Sequence, residues 1–518
     1  MRRGFTIGLE ILFITLLVTA TRCANFQDVF VGREIHFLDG DCYARMTRAR
    51  LCFEHPGTIV RHHDFENYPQ GTSPHTTAPL DYLIVALAVI LSGISAQPLD
   101  LAGAFIAPVL AVAMGAFLCW WTRLMQLRFR WAVLLLYALS PLLAHAFALG
   151  RPDHQALAVA LVMVALCGEW RLIRGPSRGW SVASGVSWAL ALWVSLYEPL
   201  VLLALTLLLR PVNGSVRGWW REDRQWGAFA FGVIVLCAAL MEWRSLVSFQ
   251  SLDLAALRHW SGTIGELRPV SWRSLSWLEW CSGLLLLVPL LWWRRGRGEI
   301  TFLLLLLLVT FLLTLWQARW SYFFASIFLL LVPAILQCFR RTAVGVIIFL
   351  LALYPTLRAW DRRIDAVESG AREETVAEVT ELHALSGQLT GPFLAPWWQS
   401  PALSYWSRQS GIAGTSHESL PGIVSAMRFY AATEDSAALA MCQERQVRWV
   451  VSYDAERVAG EAAAILGYPV TKEALCNRLD RNPTSVPNFL KLRRQTAHFK
   501  LYEVLDFPET IAPKRGIN

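Results

Sequence analysis

Long apolar stretches, separated by clusters of arginine, constrain this chain more than any other feature. Stretches able to cross ~30 Å of hydrocarbon occur at about 5–22, 100–122, 131–149, 155–170, 180–197, 199–209, 226–243, 276–293, 301–316, 320–338 and 342–357. Arg2/Arg3, Arg123/Arg128/Arg130, Arg171/Arg174/Arg178, Arg210/Arg217/Arg221/Arg224, Arg294/Arg295/Arg297 and Arg340/Arg341 fall in alternate loops. Placing all six clusters on the cytoplasmic side, as the positive-inside rule requires, gives about eleven spans, N-terminus inside and C-terminus outside. The run from Phe5 to Ala20 after Arg2 and Arg3 has the outline of a signal peptide. It lacks a clear small-residue cleavage site and is read as an uncleaved first span.

Composition agrees. The 518 residues are 55% hydrophobic and 17% charged, with a mean hydropathy of +0.40, outside the soluble range. The 24 tryptophans often flank apolar runs, as interfacial belts do. The net charge of +8 rests mostly on arginine and reads as membrane topology, which argues against nucleic acid as a partner. The ten cysteines form no CxxC pair or zinc spacing. Cys42/Cys52 and Cys442/Cys476 fall in outer regions, where disulfides stay open.

Residues 80–97 are apolar enough to span, but counting them would invert every later loop. They are read as an interfacial or re-entrant helix on the outer face. The expected division is a transmembrane domain over 1–358, with outer loops at 23–99 and 244–275, and an extracytoplasmic domain over 359–518. In that last region helical patterns at 373–388, 434–444 and 454–466 alternate with strand-like runs at Val447–Tyr453 and His498–Val504. This predicts a soluble α/β domain.

The chemistry-bearing residues cluster in the outer loops. Asp41 follows the first span in Asp39-Gly40-Asp41-Cys42-Tyr43. Asp153 lies in Gly150-Arg151-Pro152-Asp153-His154-Gln155, and Glu266 ends Thr263-Ile264-Gly265-Glu266. Carboxylates from three loops on one face suit a divalent ion such as Mn²⁺ or Mg²⁺ and a phosphate-bearing lipid. Each residue also has a plain structural explanation. Asp41 would be a turn former, Asp153 a helix N-cap and Glu266 a solvated glutamate. Arg319, at an outer span boundary, would snorkel or hold a phosphate with its planar fork.

The order Asp-x-Tyr after a span, Asn67-Tyr68-Pro69-Gln70-Gly71, Gly-x-x-Asp at a helix mouth, the Thr-Ile-x-Glu loop and a boundary arginine resembles one family. It is the catalytic subunit of oligosaccharyltransferases, membrane glycosyltransferases of the GT-C fold. The resemblance implies a polytopic α-helical membrane protein of about 11–13 spans with a C-terminal soluble α/β domain, in an inner or plasma membrane. It implies an inverting, metal-dependent transfer of a glycan from a polyprenyl-(pyro)phosphate donor to a polypeptide on the non-cytoplasmic face. Asp41, Asp153 and Gln155 would hold the Mn²⁺ or Mg²⁺, Gln155 standing where the family usually has Asp, Glu or His. Asp41 and Glu266 would serve the acceptor, and Arg319 and His417 the donor pyrophosphate. Trp397 and Trp398 match the start of the family's acceptor motif Trp-Trp-Asp-Tyr-Gly. Gln399, Ser400 and Pro401 replace its last three residues. That departure leaves open a lipid, polysaccharide or Ser/Thr hydroxyl as acceptor. A transporter or flippase of lipid-linked sugars is the alternative of another class, but it would place ionisable residues at the bilayer midplane. Here only Glu198, near a span end, comes close.

Overall fold

The computed structural model describes residues 2–74, 78–209, 222–243, 253–294, 298–367 and 370–505. Arg210, Arg217, Arg221, Arg295 and Arg297 lie outside the described residues. The chain forms two compact units, each drawn from separate stretches of sequence.

One unit comprises Met1–Ile35, Thr76–Glu242 and Glu266–Ser369 and is almost wholly helical. Six of its described helices are long and apolar enough to cross a membrane: Pro98–Leu124, His154–Arg174, Arg224–Glu242, Gly298–Trp316, Ala318–Leu336 and Thr342–Ile364. Two other apolar stretches are broken, each for a local reason. The run at 131–149 divides into Arg130–Leu139 and Pro141–Ala146, because a proline ends one helix and is pre-set to start the next. The run at 276–293 becomes the short helix Ser276–Cys281 followed by a 3₁₀ segment, Gly283–Arg294, that contains Pro289. Helix Ala78–Leu91 has 14 residues, about 21 Å at the α-helical rise, shorter than the hydrocarbon core. It packs along Pro98–Leu124.

Ion pairs gather the arginine clusters at one end of this bundle. Glu10 pairs with Arg123 and Arg130, Glu299 with Arg174, and Glu169 with Arg224. Arg128 reaches Thr342, and Arg174 donates to the Met125 carbonyl. A charge inside an apolar bundle persists only when paired, so these contacts fix which helix ends lie together. At the other end the Leu149 amide bonds to the Arg22 carbonyl and the Ala318 amide to the Arg268 carbonyl, both at 2.9 Å. Helix Ser321–Leu336 is buried along nearly its whole length. A helix apolar on every side belongs at the centre of a bundle, and this one carries Tyr322 in its first turn, directly after Arg319.

The second unit comprises His36–His75, Trp243–Gly265 and Gly370–Asn518. Its four-stranded sheet runs in the order Phe393–Leu394, Trp449–Ser452, Lys500–Val504, Leu490–Gln495. The first pair is parallel and the others antiparallel. Trp449–Ser452 is buried at all four positions, as suits an inner strand. The edge strand Leu490–Gln495 exposes Lys491 and Arg493, charges that discourage edge-to-edge pairing. The expected helices appear as Gly370–Ser386, Asp435–Glu444 and Ala455–Leu466. Asp454 caps the last by accepting from the Glu456 and Arg457 amides, and Gly467 at φ +77° ends it.

The division expected at residue 358 misses part of this unit. First-loop residues 36–75 and later-loop residues 243–265 pack with the C-terminal segment. Helix Gly40–Glu54 lies against Ser400–Ser407, with the Arg50 guanidinium 3.7 Å from the Tyr405 ring centroid. Helix Leu254–Thr263 packs on Ala455–Leu466. All ten cysteines, Cys42, Cys52, Cys442 and Cys476 among them, are outside any disulfide.

Candidate active site

Within the helical unit Asp153, Gln155 and Glu266 come together. Asp153 occupies the N-cap position of His154–Arg174 yet makes no capping bond with its side chain. Its carboxylate instead lies 2.7 Å from His154 Nδ1 and 3.5 Å from Arg151, so the helix cap alone does not account for it. Gln155 Oε1 accepts from Arg151 Nη2 at 3.2 Å, while its amide nitrogen donates to Glu266. Arg151 also donates to His145 Nδ1 at 2.7 Å, and the Tyr322 hydroxyl is 2.9 Å from the same nitrogen. Arg151, Asp153 and Gln155 are all buried.

Arg319 stands beside this network. It lies in the 3₁₀ turn Ala318–Trp320 and pairs with Glu198. Glu198 is 5% exposed and also accepts from Ser195 Oγ at 3.0 Å. Its helix, Tyr197–Leu209, is otherwise strongly apolar. Arg319 is 5.7 Å from the centroid of the Tyr197 ring, and its buried Nε has no hydrogen-bond partner. A small cavity of about 10 Å³, lined by His154, Gln155, Ser195, Glu198, Arg319, Tyr322 and Phe323, places the arginine near Gln155 of that network. Its lining includes a cation, hydroxyls and an imidazole, groups able to bind phosphate. The sequence reading passed over Arg151, His145 and Tyr322. Glu198 carried a signal, being one ionisable residue in an apolar run.

In the second unit a second group of candidates converges. Asp39 caps helix Gly40–Glu54 by accepting from the Cys42 amide at 2.9 Å, which puts Asp41 in its first turn. A Cβ on Gly40 would lie 2.6 Å from Thr415 Cγ2 and 3.0 Å from the Trp398 carbonyl. Only glycine allows this approach, and it brings Asp41 beside Trp398 and the segment that leads to His417. Trp397 meets Trp398 edge-on at 5.7 Å and Trp260 at 6.1 Å, and the Arg457 guanidinium lies 4.9 Å from the Trp398 ring centroid. Both indole N–H groups, Gln399 Oε1, Ser400 Oγ and Thr415 Oγ1 are buried without a hydrogen-bond partner. The Gln399 amide nitrogen donates to Glu378 at 3.3 Å. His417 is partly exposed and lies 3.5 Å from Glu418.

Glu66 underlies the His417 segment. It is 2% exposed, accepts from Ser416 Oγ at 3.1 Å, and leaves no room for a side chain at Gly414. Burial raises its pKa to about 7, opposed by the Arg48 charge and the Ser416 hydrogen bond. Below pH ~4.5 this carboxyl is neutral in folded and unfolded chains alike. Between there and about pH 7 only the unfolded chain ionises, so stability falls as pH rises, by on the order of 3 kcal/mol in all. Thermal denaturation of Glu66→Gln from pH 5 to 8 should lack this slope, and the variant should be the more stable protein at pH 8.

No protein-family model matches the sequence, and no curated protein resembles it closely in sequence. Solved structures do match in fold. The oligosaccharyltransferase AglB from the archaeon Archaeoglobus fulgidus, in complex with an inhibitory peptide and a dolichol-phosphate, aligns at TM-score 0.65 and 15% identity, over 90% of this chain and 71% of that one. The Archaeoglobus fulgidus enzyme in complex with zinc and sulfate aligns at 0.61 and 16%, over 89% and 69%. ArnT from Cupriavidus metallidurans bound to undecaprenyl phosphate aligns at 0.51 and 13%, over 96% and 97%. These likenesses show fold alone: this chain shares the architecture of the AglB and ArnT structures.

Proposed function

We propose that this protein is a membrane glycosyltransferase that moves a glycan from a polyprenyl-(pyro)phosphate to a polypeptide on the non-cytoplasmic face. The observation that carries this reading is the nearness of Arg319 to Gln155, which is itself bonded to Glu266. The lipid phosphates and peptide bound by the fold neighbours support it. Arg319, with its unpartnered Nε, would take the charge that develops on the leaving phosphate, the term that dominates such transfers. By the resemblance, His417 is assigned to the donor phosphate, Glu266 and Asp41 to the acceptor, and Trp397 and Trp398 to the residues beyond it. The acceptor atom attacks the anomeric carbon as the bond to phosphate breaks and its electron pair leaves with the phosphate. One displacement inverts the configuration, and no sugar–enzyme bond forms.

Asp41 and Asp153 each carry the carboxylate oxygens that Mn²⁺ or Mg²⁺ takes, and zinc accompanies one fold neighbour. A divalent ion would supply charge neutralisation at the phosphate. Gln155 fits less well as a third ligand, since its oxygen already accepts from Arg151. Among the described residues no three His, Cys, Asp or Glu side chains form a metal cluster.

The deciding assay supplies a lipid-linked glycan and an Asn-x-Thr peptide, with and without Mn²⁺. Asp41→Ala, Asp153→Ala and Glu266→Ala should each abolish transfer in proteins that still insert and fold. A fully active Glu266→Ala enzyme would contradict the scheme. A second reading rests on Gln399, whose free carbonyl oxygen stands where the family carries a carboxylate. On that reading the acceptor is a hydroxyl of a lipid, a polysaccharide or Ser/Thr. Mass spectrometry of the product separates sugar on asparagine from sugar on oxygen.

A further inference from the structure

Within that proposed reading the role of Glu198 is unassigned. A carboxylate buried to 5% exposure in an apolar helix is costly unless paired, and here Ser195 and Arg319 are its partners. Glu198 and Arg319 line the same small cavity and are paired there. We propose that Glu198 is a positioning residue, a resident counter-ion that holds the Arg319 guanidinium in place and that an incoming lipid phosphate displaces.

The chemistry follows from competition for one cation. A phosphate carries more charge than a carboxylate and forms a bidentate pair with guanidinium, so it can take over the Arg319 donors. The buried Nε of Arg319 has no hydrogen-bond partner to give up. The Ser195 hydroxyl then remains with Glu198, which spares the carboxylate complete isolation. When transfer is finished the product lipid leaves with its phosphate charge, and Glu198 regains the arginine. The ion pair thus weakens binding of donor and product alike and speeds release of the product. Without Glu198, Arg319 would hold the product lipid for longer.

The test uses the full-length protein in detergent or nanodiscs, with undecaprenyl phosphate and dolichyl phosphate as probes. Glu198→Gln keeps the side-chain volume and the Ser195 hydrogen bond but removes the charge. It should bind either lipid phosphate about tenfold more tightly than wild type, the equivalent of one ion pair no longer broken on binding. In steady state KM should fall and kcat should fall with it, product release having become slower. Glu198→Asp, one methylene too short to reach Arg319 fully, should change affinity in the same direction by a smaller factor. It serves in place of the glutamine variant if that one fails to fold. A residue of purely structural importance would lower kcat without tightening lipid binding. Unchanged or weaker affinity in both variants, with wild-type binding intact, overturns this role alone. If wild type binds neither lipid phosphate, the proposed donor class falls and this inference falls with it.

Discussion

On the proposed function, Arg319→Ala is expected to slow glycan transfer by about 10²–10³-fold, the usual loss when one electrostatic donor to a developing anion is removed. Two effects overlap in that variant. The leaving phosphate loses its cation, and Glu198 is left buried with only the Ser195 hydroxyl. An uncompensated carboxylate of that kind costs up to about 3 kcal/mol of stability. The double variant Arg319→Ala/Glu198→Gln separates the two: its melting temperature should recover while its transfer rate does not. Arg319→Lys should keep the charge but lose the two-pronged contact, giving an intermediate rate. Single-turnover kinetics on a lipid-linked glycan measure all three. Wild-type turnover in Arg319→Ala would mean that the phosphate does not leave beside this arginine.

The second unit should respond most strongly to loss of Arg445. This guanidinium is 7% exposed and donates to Asn67 Oδ1 at 3.0 Å, Gln70 Oε1 at 2.6 Å, Ser425 Oγ at 2.9 Å and the Pro421 carbonyl at 3.3 Å. It therefore ties the Asn67–Gly71 stretch to the Leu420–Ala431 helix. Arg445→Ala strands the buried Asn67 acceptor and releases three less buried ones at once, and an unsatisfied buried group is more costly than the bond is individually worth. Stability should fall by about 3 kcal/mol, a drop in melting temperature of roughly 6–12 °C for a unit of this size. Limited proteolysis should then cut within residues 36–75, which wild type protects. Lysine at 445 should rescue little, because a single ammonium cannot reach acceptors spread over two segments. Undiminished protection in Arg445→Ala would show that the first loop is held by other contacts.

The Asn-Tyr-Pro-x-Gly stretch shows how far local sequence carries an argument. Its order among the other motifs pointed to a family, yet nothing near it revealed that its asparagine meets an arginine 378 residues later. Asp153 shows the converse. Its place before an apolar helix predicted a cap, and the structure keeps that position, but the side chain turns to Arg151 and His154. Arg151 stands two residues from Asp153, yet nothing local in the sequence singles it out as that carboxylate's partner. Glu198 was visible as a charge in apolar surroundings, but its partner lies in another helix. The pairing of first-loop residues with the C-terminal segment was hidden for a similar reason. Hydropathy marks where a chain leaves the membrane and is silent on which emergent segments pack together.

Periodicity, hydropathy and capping are written in residues close along the chain, and the bilayer requires long stretches to satisfy their own backbone. Helix positions, the alternation of arginine clusters and the α/β character of the last third were therefore legible without coordinates, while the breaks at 140 and 282 were not. The Glu198–Arg319 pair, the Gln155–Glu266 contact and the clamp around Arg445 depend on side chains far apart in sequence. Their partners were settled by folding, because a buried charge accepts whichever opposite group the packing of apolar faces delivers to it.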